Sequence, residues 1–291
     1  MAMNWKVFRT RALTALVFVL VMMVGVLLNK WSFLLLFTII HFGCWIEYQR
    51  LIGRIDPSYK SISAFHRYGV MLAGWSMMLY AAGDVYHAAG ITLPSIGLAL
   101  GLIFAFALPV IEILFSQQLN FAHIRYSALG LIYISLSWAL MINIRSMHEI
   151  WVTGNGWPYA VGLMIPLTTI FSIWINDTMA YIVGSLIGKT PFSKISPKKT
   201  IEGTLGGIIL CVAAMGALAC ACKMPVMHIS IIAAIAAVAG TAGDLLESKI
   251  KRMADVKDSG SIMPGHGGFL DRFDSLLLAT PFVWLYVMSV L

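Results

Sequence analysis

The sequence contains few charged residues for its length. Lys, Arg, Asp and Glu make up 11% of the 291 residues, 59% are hydrophobic, and the mean hydropathy is +0.85. A soluble domain carries about 25% charged residues, and about 45–50% of its residues are apolar. A water-soluble fold of this length could not bury so much apolar surface. The composition therefore predicts a protein whose solvent is mostly a lipid bilayer.

Cysteine and the common ligand-binding motifs are also scarce. The four cysteines lie within apolar segments and form no C-x-x-C pair, which argues against a disulfide framework or a zinc site. The chain has no G-x-x-x-x-G-K-[ST] loop of the Walker A type. It also lacks zinc-finger and RNA-binding motifs, so no nucleic-acid partner is expected despite the net charge of +7.

What the sequence does have is a series of apolar runs. Nine of them approach or exceed the length needed to cross about 30 Å of hydrocarbon as a helix. The predicted fold class is therefore all-α, a polytopic membrane protein with about nine transmembrane helices. The runs span residues 11–28, 31–46, 68–83, 95–115, 126–143, 158–187, 203–222, 227–247 and 274–291.

The basic residues predict an orientation for these runs. With a cytoplasmic N-terminus, only Lys30, Arg145 and Lys223 of the 20 Lys and Arg would face the opposite side. Cytoplasmic loops of membrane proteins are enriched in Lys and Arg. The pattern therefore predicts a cytoplasmic N-terminus in a multi-pass protein of the inner (cytoplasmic) membrane.

The acidic residues divide the chain unevenly. Eight of the 13 lie between Asp177 and Asp274. We therefore expect residues 1–150 to form scaffold helices and residues 151–291 to form a catalytic region, within one continuous membrane domain.

The first polar segment is Asn176-Asp177-Thr178, inside an apolar run. An ionised Asp at the centre of a spanning helix costs about 2.5–3.5 kcal/mol on insertion scales. Asp177 is therefore expected to face a polar cavity, a partner charge or a metal. The alternative is that it lies close enough to the helix end to reach water.

The second segment runs from Lys189 to Gly207, where four lysines precede a Gly-rich helix start. Helix N-termini favour phosphate, and lysines such as Lys198 and Lys199 supply point charges for it. A basic loop beside a membrane can also serve only to fix topology or to meet anionic lipid, and the loop alone does not separate these alternatives.

The third segment, from Gly243 to Ser275, combines acids, lysines and glycines. Asp244, Ser248 and Lys251 share one helical face, and Asp271 and Asp274 are three residues apart. Converging carboxylate and hydroxyl oxygens suit Mg²⁺, which usually also binds substrate phosphates and water. The alternative is a solvated loop with structural ion pairs.

His266 lies in the Gly-rich stretch Pro264–Gly268 of this segment. No second His or Cys stands at ligand spacing, which argues against zinc. A hydrogen bond to phosphate, an orienting role in the loop, or no role at all are the remaining interpretations.

Taken together, the motifs resemble the signature of the CDP-diglyceride synthetase family. The signature S-x-x-K-R…K-D-x-G…P-x-H-G-G-x-x-D-R-x-D is matched from Ser248 to Asp274, and the segments around Asp177 and residues 196–203 also look like that family. The resemblance covers roughly residues 170–280. Two positions differ from the frequent family pattern, Thr241 in place of Gln and Ser185 in place of a basic residue, which could alter nucleotide contacts.

The resemblance implies a reaction of CTP with phosphatidic acid that gives CDP-diacylglycerol and pyrophosphate, with Mg²⁺ and possibly a second cation such as K⁺. It implies a possible homodimer and the following roles. Asp244, Asp271 and Ser248 would bind metal, and Asp244, Asp271, Asp274, Lys251 and His266 would be catalytic. The residues expected to bind substrate are Asp177, Lys198, Lys199, Ser248, Arg252, Lys257, Asp258, Gly267, Gly268 and Arg272.

Two other functions fit parts of the pattern. A related CTP-dependent transferase could use another lipid acceptor, such as an ether-linked phosphatidate analogue or a polyprenyl substrate. An ion-coupled transporter would also place acids within the membrane. The acids here cluster towards one membrane face, and no inverted repeat is visible, which argues against transport.

Overall fold

The computed structural model describes residues 5–88, 90–115, 120–148, 150–152, 158–261 and 267–290. Almost all of these residues are helical. The first half begins with two long helices and a short 3₁₀ helix, followed by helices of 9 to 23 residues and one small hairpin. Its elements are α1 Trp5–Leu27, α2 Lys30–Ile55, the 3₁₀ helix Pro57–Ser61, α3 Ala64–Tyr80, β1 His87–Ala88, β2 Ile91–Thr92, α4 Leu93–Phe115, α5 Phe121–Gly130, a π-helical segment Leu131–Leu136 and α6 Ser137–Arg145.

The second half contains another small hairpin and four long helices. Strands β3 Ile150–Val152 and β4 Pro158–Ala160 pair antiparallel, and helix α7 Val161–Ile187 begins directly after β4. The other helices are α8 Ile201–Ala221, α9 Val226–Met253 and α10 Leu270–Val290.

Each of the nine predicted runs coincides with a helical segment, and the all-α polytopic fold is confirmed. Among the described residues, seven helical segments are long and apolar enough to cross a membrane. The other two are α3, with 17 residues, and α1, which has a shorter apolar segment at Ala12–Leu27. The cytoplasmic location of the N-terminus stays a prediction.

Several run boundaries were wrong by one to three turns. Helix α2 continues to Ile55, α9 continues to Met253, and α10 begins at Leu270. Charged residues end an apolar run, but they do not end a helix, because the backbone hydrogen bonds continue through a polar turn. The run 158–187 was wrong at its start, since residues 158–160 pair with β3 instead of entering the helix.

The helices expose large apolar side chains, as expected for surfaces that face lipid. Phe106, Leu186 and Met227 are each more than 70% exposed. A soluble protein rarely leaves so many neighbouring apolar residues in water.

The chain divides into two compact units. The first comprises residues 1–143 and 253–272, and the second comprises 144–252 and 273–291. In the first unit, the buried Trp45 donates its ring N–H to Ser135 Oγ at 2.9 Å, and the Tyr48 hydroxyl donates to the carbonyl of Tyr126 at 2.8 Å. These bonds join α2 to the α5–α6 segment, because a polar group buried in an apolar setting needs a partner.

The second unit depends on close packing between α7 and α8. A Cβ at Gly203 would lie 2.8 Å from the carbonyl oxygen of Ala180, and one at Gly207 would lie 2.8 Å from Ala180 Cβ. Small residues allow membrane helices to approach this closely. Further along α8, Cys211 and Met215 are buried together with Ile229 of α9 in a core shared by the two helices.

Candidate active site

A polar cavity of about 560 Å³ lies in the second unit. It is formed by α7, the loop before α8, the first turn of α8 and one stretch of α9. Four of the predicted substrate or metal residues line it: Asp177, Lys198, Lys199 and Asp244. Thr241 and Ser185, the two positions that differ from the family pattern, line it as well.

Asp244 contacts two polar side chains at this cavity. One carboxylate oxygen forms an ion pair with Lys199 Nζ, and the other accepts a hydrogen bond from Ser248 Oγ at 3.3 Å. Both members of the ion pair are about 30% exposed, so the pair remains open to a ligand. A phosphate that binds Lys199 would lie beside the Asp244 carboxylate.

The loop that carries the lysines is held in a defined conformation by Glu202. Its carboxylate accepts hydrogen bonds from the backbone of Lys189 at 3.1 Å and from the hydroxyl of Thr190 at 2.8 Å. Thr200 caps α8 by accepting from the backbone of Gly203. The basic loop is therefore anchored at both ends, and this fixes the position of the Lys199 backbone.

Asn176, one residue before Asp177, brings an amide to the wall of the cavity. Its Nδ2 lies 3.4 Å from Thr241 Oγ1, and among the described residues no hydrogen-bond partner is found for its buried Oδ1. Asp177 itself is exposed and lines the cavity just past the middle of α7.

Asp274 is a buried carboxylate on α10 near these groups. It is 8% exposed, and it interacts electrostatically with Asp244, Asp177 and Lys251. Gly243 allows α9 to approach it, because a Cβ there would collide with the backbone oxygen of Asp274. Asp244 and Asp177 both repel the negative charge of Asp274, and a cation bound nearby would offset that repulsion.

Lys251 lies on α9 as predicted, and it forms an ion pair with a residue that the sequence interpretation did not place in the site. Its ammonium contacts Glu247 Oε2 at 2.5 Å, and Glu247 is only 1% exposed. The i, i+4 spacing of an acid and a lysine was the available signal.

Asp271 belongs to the first unit, where it organises a loop. Its Oδ2 accepts hydrogen bonds from Ser259 N at 2.9 Å, Ser259 Oγ at 2.9 Å and Gly268 N at 2.8 Å. Gly267 has a φ of 82°, and a Cβ at this position would collide with the Asp271 side chain. The predicted substrate-binding glycines therefore give the Asp271 carboxylate the room to accept these bonds.

Glu47 on α2 is the main functional candidate that the sequence interpretation missed. Its buried carboxylate accepts from Ser259 Oγ at 2.7 Å, from Phe269 N at 2.9 Å and from Leu270 N at 2.9 Å. It thus caps the first turn of α10, just before Asp271. An acid at the edge of an apolar run was a signal for it, since an ionisable residue in a spanning helix marks function by default.

The other predicted residues of the third segment lie at the surface. Arg252, Lys257, Asp258 and Arg272 are exposed. His266 lies outside the described residues, so its predicted role stays a prediction.

The oxygen atoms of these residues bear on whether the site could hold Mg²⁺. Within the part of the chain that the structure describes, no group of three His, Cys, Asp or Glu forms a ready-made metal cage. Mg²⁺ is usually held by one or two carboxylates together with waters and substrate phosphates, so a full protein cage is not required. Asp244, Asp274 and the unpartnered Oδ1 of Asn176 fit this mode of binding.

Comparisons with a family model and with individual proteins point to the same family. Residues 9–290 match the model of the cytidylyltransferase family. A phosphatidate cytidylyltransferase of Bacillus subtilis is 32% identical over 278 residues, which cover 94% of both chains. One from Staphylococcus saprophyticus is 29% identical over 97% of this chain and 100% of its own length, and one from Aquifex aeolicus is 41% identical over 126 residues, 42% of this chain and 47% of its own.

Together with the polytopic fold and the cavity lined by lysines and carboxylates, these matches define the protein as a membrane nucleotidyltransferase. The chain belongs to the cytidylyltransferase family. Family membership favours an enzyme over the ion-coupled transporter considered above.

Proposed function

We propose that the protein transfers the cytidylyl group of CTP to phosphatidic acid, giving CDP-diacylglycerol and pyrophosphate. The observation that carries the proposal is the cavity where Lys198 and Lys199 face Asp244 and Asp177. The names of the relatives support phosphatidic acid as the acceptor, since each is called a phosphatidate cytidylyltransferase.

The chemistry needs no nucleophile from the protein. A phosphate oxygen of phosphatidic acid forms a bond to the α-phosphorus of CTP, and the bond from that phosphorus to the α,β-bridging oxygen breaks as pyrophosphate leaves. Both reactants are anions, so the barrier comes mostly from charge repulsion and alignment. Lys198 and Lys199 would neutralise phosphate charge, and the ion pair with Asp244 would hold Lys199 in place.

Bound Mg²⁺ would supply charge neutralisation at the transferred phosphate. In the second unit, Asp244 and Asp274 would hold it, with Asn176 Oδ1 as a further oxygen. The resemblance also assigns Asp271 and Ser248 to metal binding. In the structure the Asp271 Oδ2 atom accepts three hydrogen bonds. A first role of Asp271 is therefore to hold the loop at residues 257–260 in place.

The direct test is turnover by purified protein in detergent micelles or liposomes. Phosphatidic acid, CTP labelled at the α-phosphate and Mg²⁺ should give label in the lipid phase together with released pyrophosphate. EDTA should abolish the signal, and Asp271→Asn should lower it at least ~100-fold. A well-folded preparation that labels no lipid would contradict the proposal. Labelling only of an ether-linked or polyprenyl acceptor would move the assignment to another lipid.

We also propose that the active site faces the cytoplasm from an inner membrane, where CTP is available, and that the protein forms a homodimer. Cys220 and Cys222 at the end of α8 offer a natural probe, because both are exposed and the turn after them is predicted to face outwards. A membrane-impermeant maleimide should label Cys222 in intact cells. In a variant without these two cysteines, Lys194→Cys should react only after the cells are opened. The reverse pattern would invert the topology.

A further inference from the structure

A second polar cavity, of about 510 Å³, lies entirely within the first unit. None of its lining residues belongs to the candidate active site. Its size is within the range of about 300–1,000 Å³ typical of small-molecule sites. Four cationic side chains line it, and the rest of the wall is apolar, aromatic or amide. The cations are Arg50, Arg54, Lys60 and Arg67.

Hydrogen bonds hold the walls of this basic pocket in place. The buried Gln49 on α2 donates from Nε2 to the carbonyl of Arg67 at 3.0 Å. The Arg67 guanidinium donates to the carbonyl of Lys60 at 3.3 Å. The stem of Lys60 lies against Gly53, where an added Cβ would come within 3.0 Å of it. The end of α2, the 3₁₀ helix and the start of α3 are thus tied together around the cations.

In the part of the chain that the structure describes, no carboxylate pairs with the cations of this pocket. Glu47 is buried against residues 259, 269 and 270. Asp56 accepts from the Ser58 hydroxyl, which holds the pKa of that carboxyl below its usual value, and it interacts with His123 and Arg125. The pocket is therefore suited to a ligand that brings negative charge.

The apolar part of the wall indicates what kind of anion this is. Ile46 and Tyr68 are 50% and 58% exposed at the rim, and Met71 is buried. Basic loops that only fix topology need no concave shape, whereas basic pockets between membrane helices bind lipid headgroups. We propose that this pocket binds the phosphate headgroup of an anionic membrane phospholipid, with the rim against its glycerol and acyl carbons. This site is distinct from the proposed active site.

The test measures binding of short-chain phosphatidylglycerol to the full chain in a neutral detergent by calorimetry. Phosphatidylglycerol is anionic but is not the proposed substrate, so the result does not depend on the proposed reaction. The double variant Arg50→Gln/Arg54→Gln should bind about 10- to 30-fold more weakly, because each cation near a lipid surface contributes about fivefold. Lys223→Gln removes one exposed charge elsewhere and should leave the affinity unchanged.

Further arms separate the possible sources of phosphate. Phosphatidylcholine should bind weakly, with no effect of the double variant, and inorganic phosphate should not displace phosphatidylglycerol. Arg50→Lys/Arg54→Lys keeps the charge and should keep most of the affinity. Equal binding of phosphatidylglycerol to wild type and to a double variant with an unchanged melting temperature would overturn the proposal. Inorganic phosphate binding as tightly as the lipid would reassign the pocket to a soluble anion.

Discussion

Asp244→Asn should lower turnover about 100- to 1,000-fold, the range seen when one preorganised charge at a reacting centre is lost. The substitution keeps the shape of the side chain but removes the charge that pairs with Lys199 and that repels Asp274. Because a neutral Asn amide holds Mg²⁺ less strongly than a carboxylate does, the residual activity should need more Mg²⁺ than the wild type. The measurement is initial rate against Mg²⁺ concentration, with phosphatidic acid and CTP saturating.

A matched control comes from Asp255, just past the end of α9. It is exposed, and its backbone has a φ of 53°. Asn adopts this left-handed conformation readily, so Asp255→Asn makes the same chemical change without strain. The control should keep wild-type turnover. If Asp244→Asn kept more than about a tenth of wild-type turnover, the role of Asp244 at the reacting phosphate would be refuted, since the loss of such a charge costs at least ~100-fold.

The sequence predicted the presence of each helix better than it predicted where each helix begins and ends. Apolar runs locate the part of a helix that lies in hydrocarbon, and each run met a helix in the structure. The polar ends of α2 and α9 were missed because charge is what ends an apolar run. These ends carry Arg50, Arg54 and Lys251, so the unpredicted turns hold much of the polar chemistry.

The candidate site was predictable where its residues are close in the sequence. The pairing of Ser248 with Asp244 follows from helical spacing, and the lysine-rich loop was visible as a cluster. The ion pair between Lys199 and Asp244 joins residues 45 positions apart, and no local pattern specifies it. The contact between Glu47 and Ser259 spans 212 positions, so only the folded chain could reveal it.

That long-range contact leads to the second large expected effect. Glu47→Gln should lower turnover about 10- to 100-fold, the range seen when a partner that orients a functional group is lost. Glu47 accepts from three donors, and the amide nitrogen of Gln would present a donor to at least one of them. The loop that holds Asp271 would then lose part of its support. Rates should fall mainly in kcat, because Glu47 positions the loop without being placed at the substrate.

Glu112→Gln provides the matched control for Glu47. Glu112 is an acid on α4 of the same unit, where it contacts His66 Nδ1 at 3.2 Å. Its substitution tests the general effect of losing a helix carboxylate, and turnover should stay within about twofold of wild type, as for most changes away from a site. Thermal unfolding of both variants separates a loss of positioning from a loss of folded protein.

A double-mutant cycle between Glu47 and Ser259 tests the mechanism itself. The Ser259 hydroxyl lies 2.7 Å from Glu47 Oε2 and 2.9 Å from Asp271 Oδ2, and it has a single proton to share between these two acceptors. Ser259→Ala removes the link between the carboxylates, so adding Glu47→Gln to it should cost less than Glu47→Gln alone. Fully additive losses would mean that Glu47 acts only through the backbone of Phe269 and Leu270. Unchanged turnover in both single variants would show that Asp271 needs no support from α2.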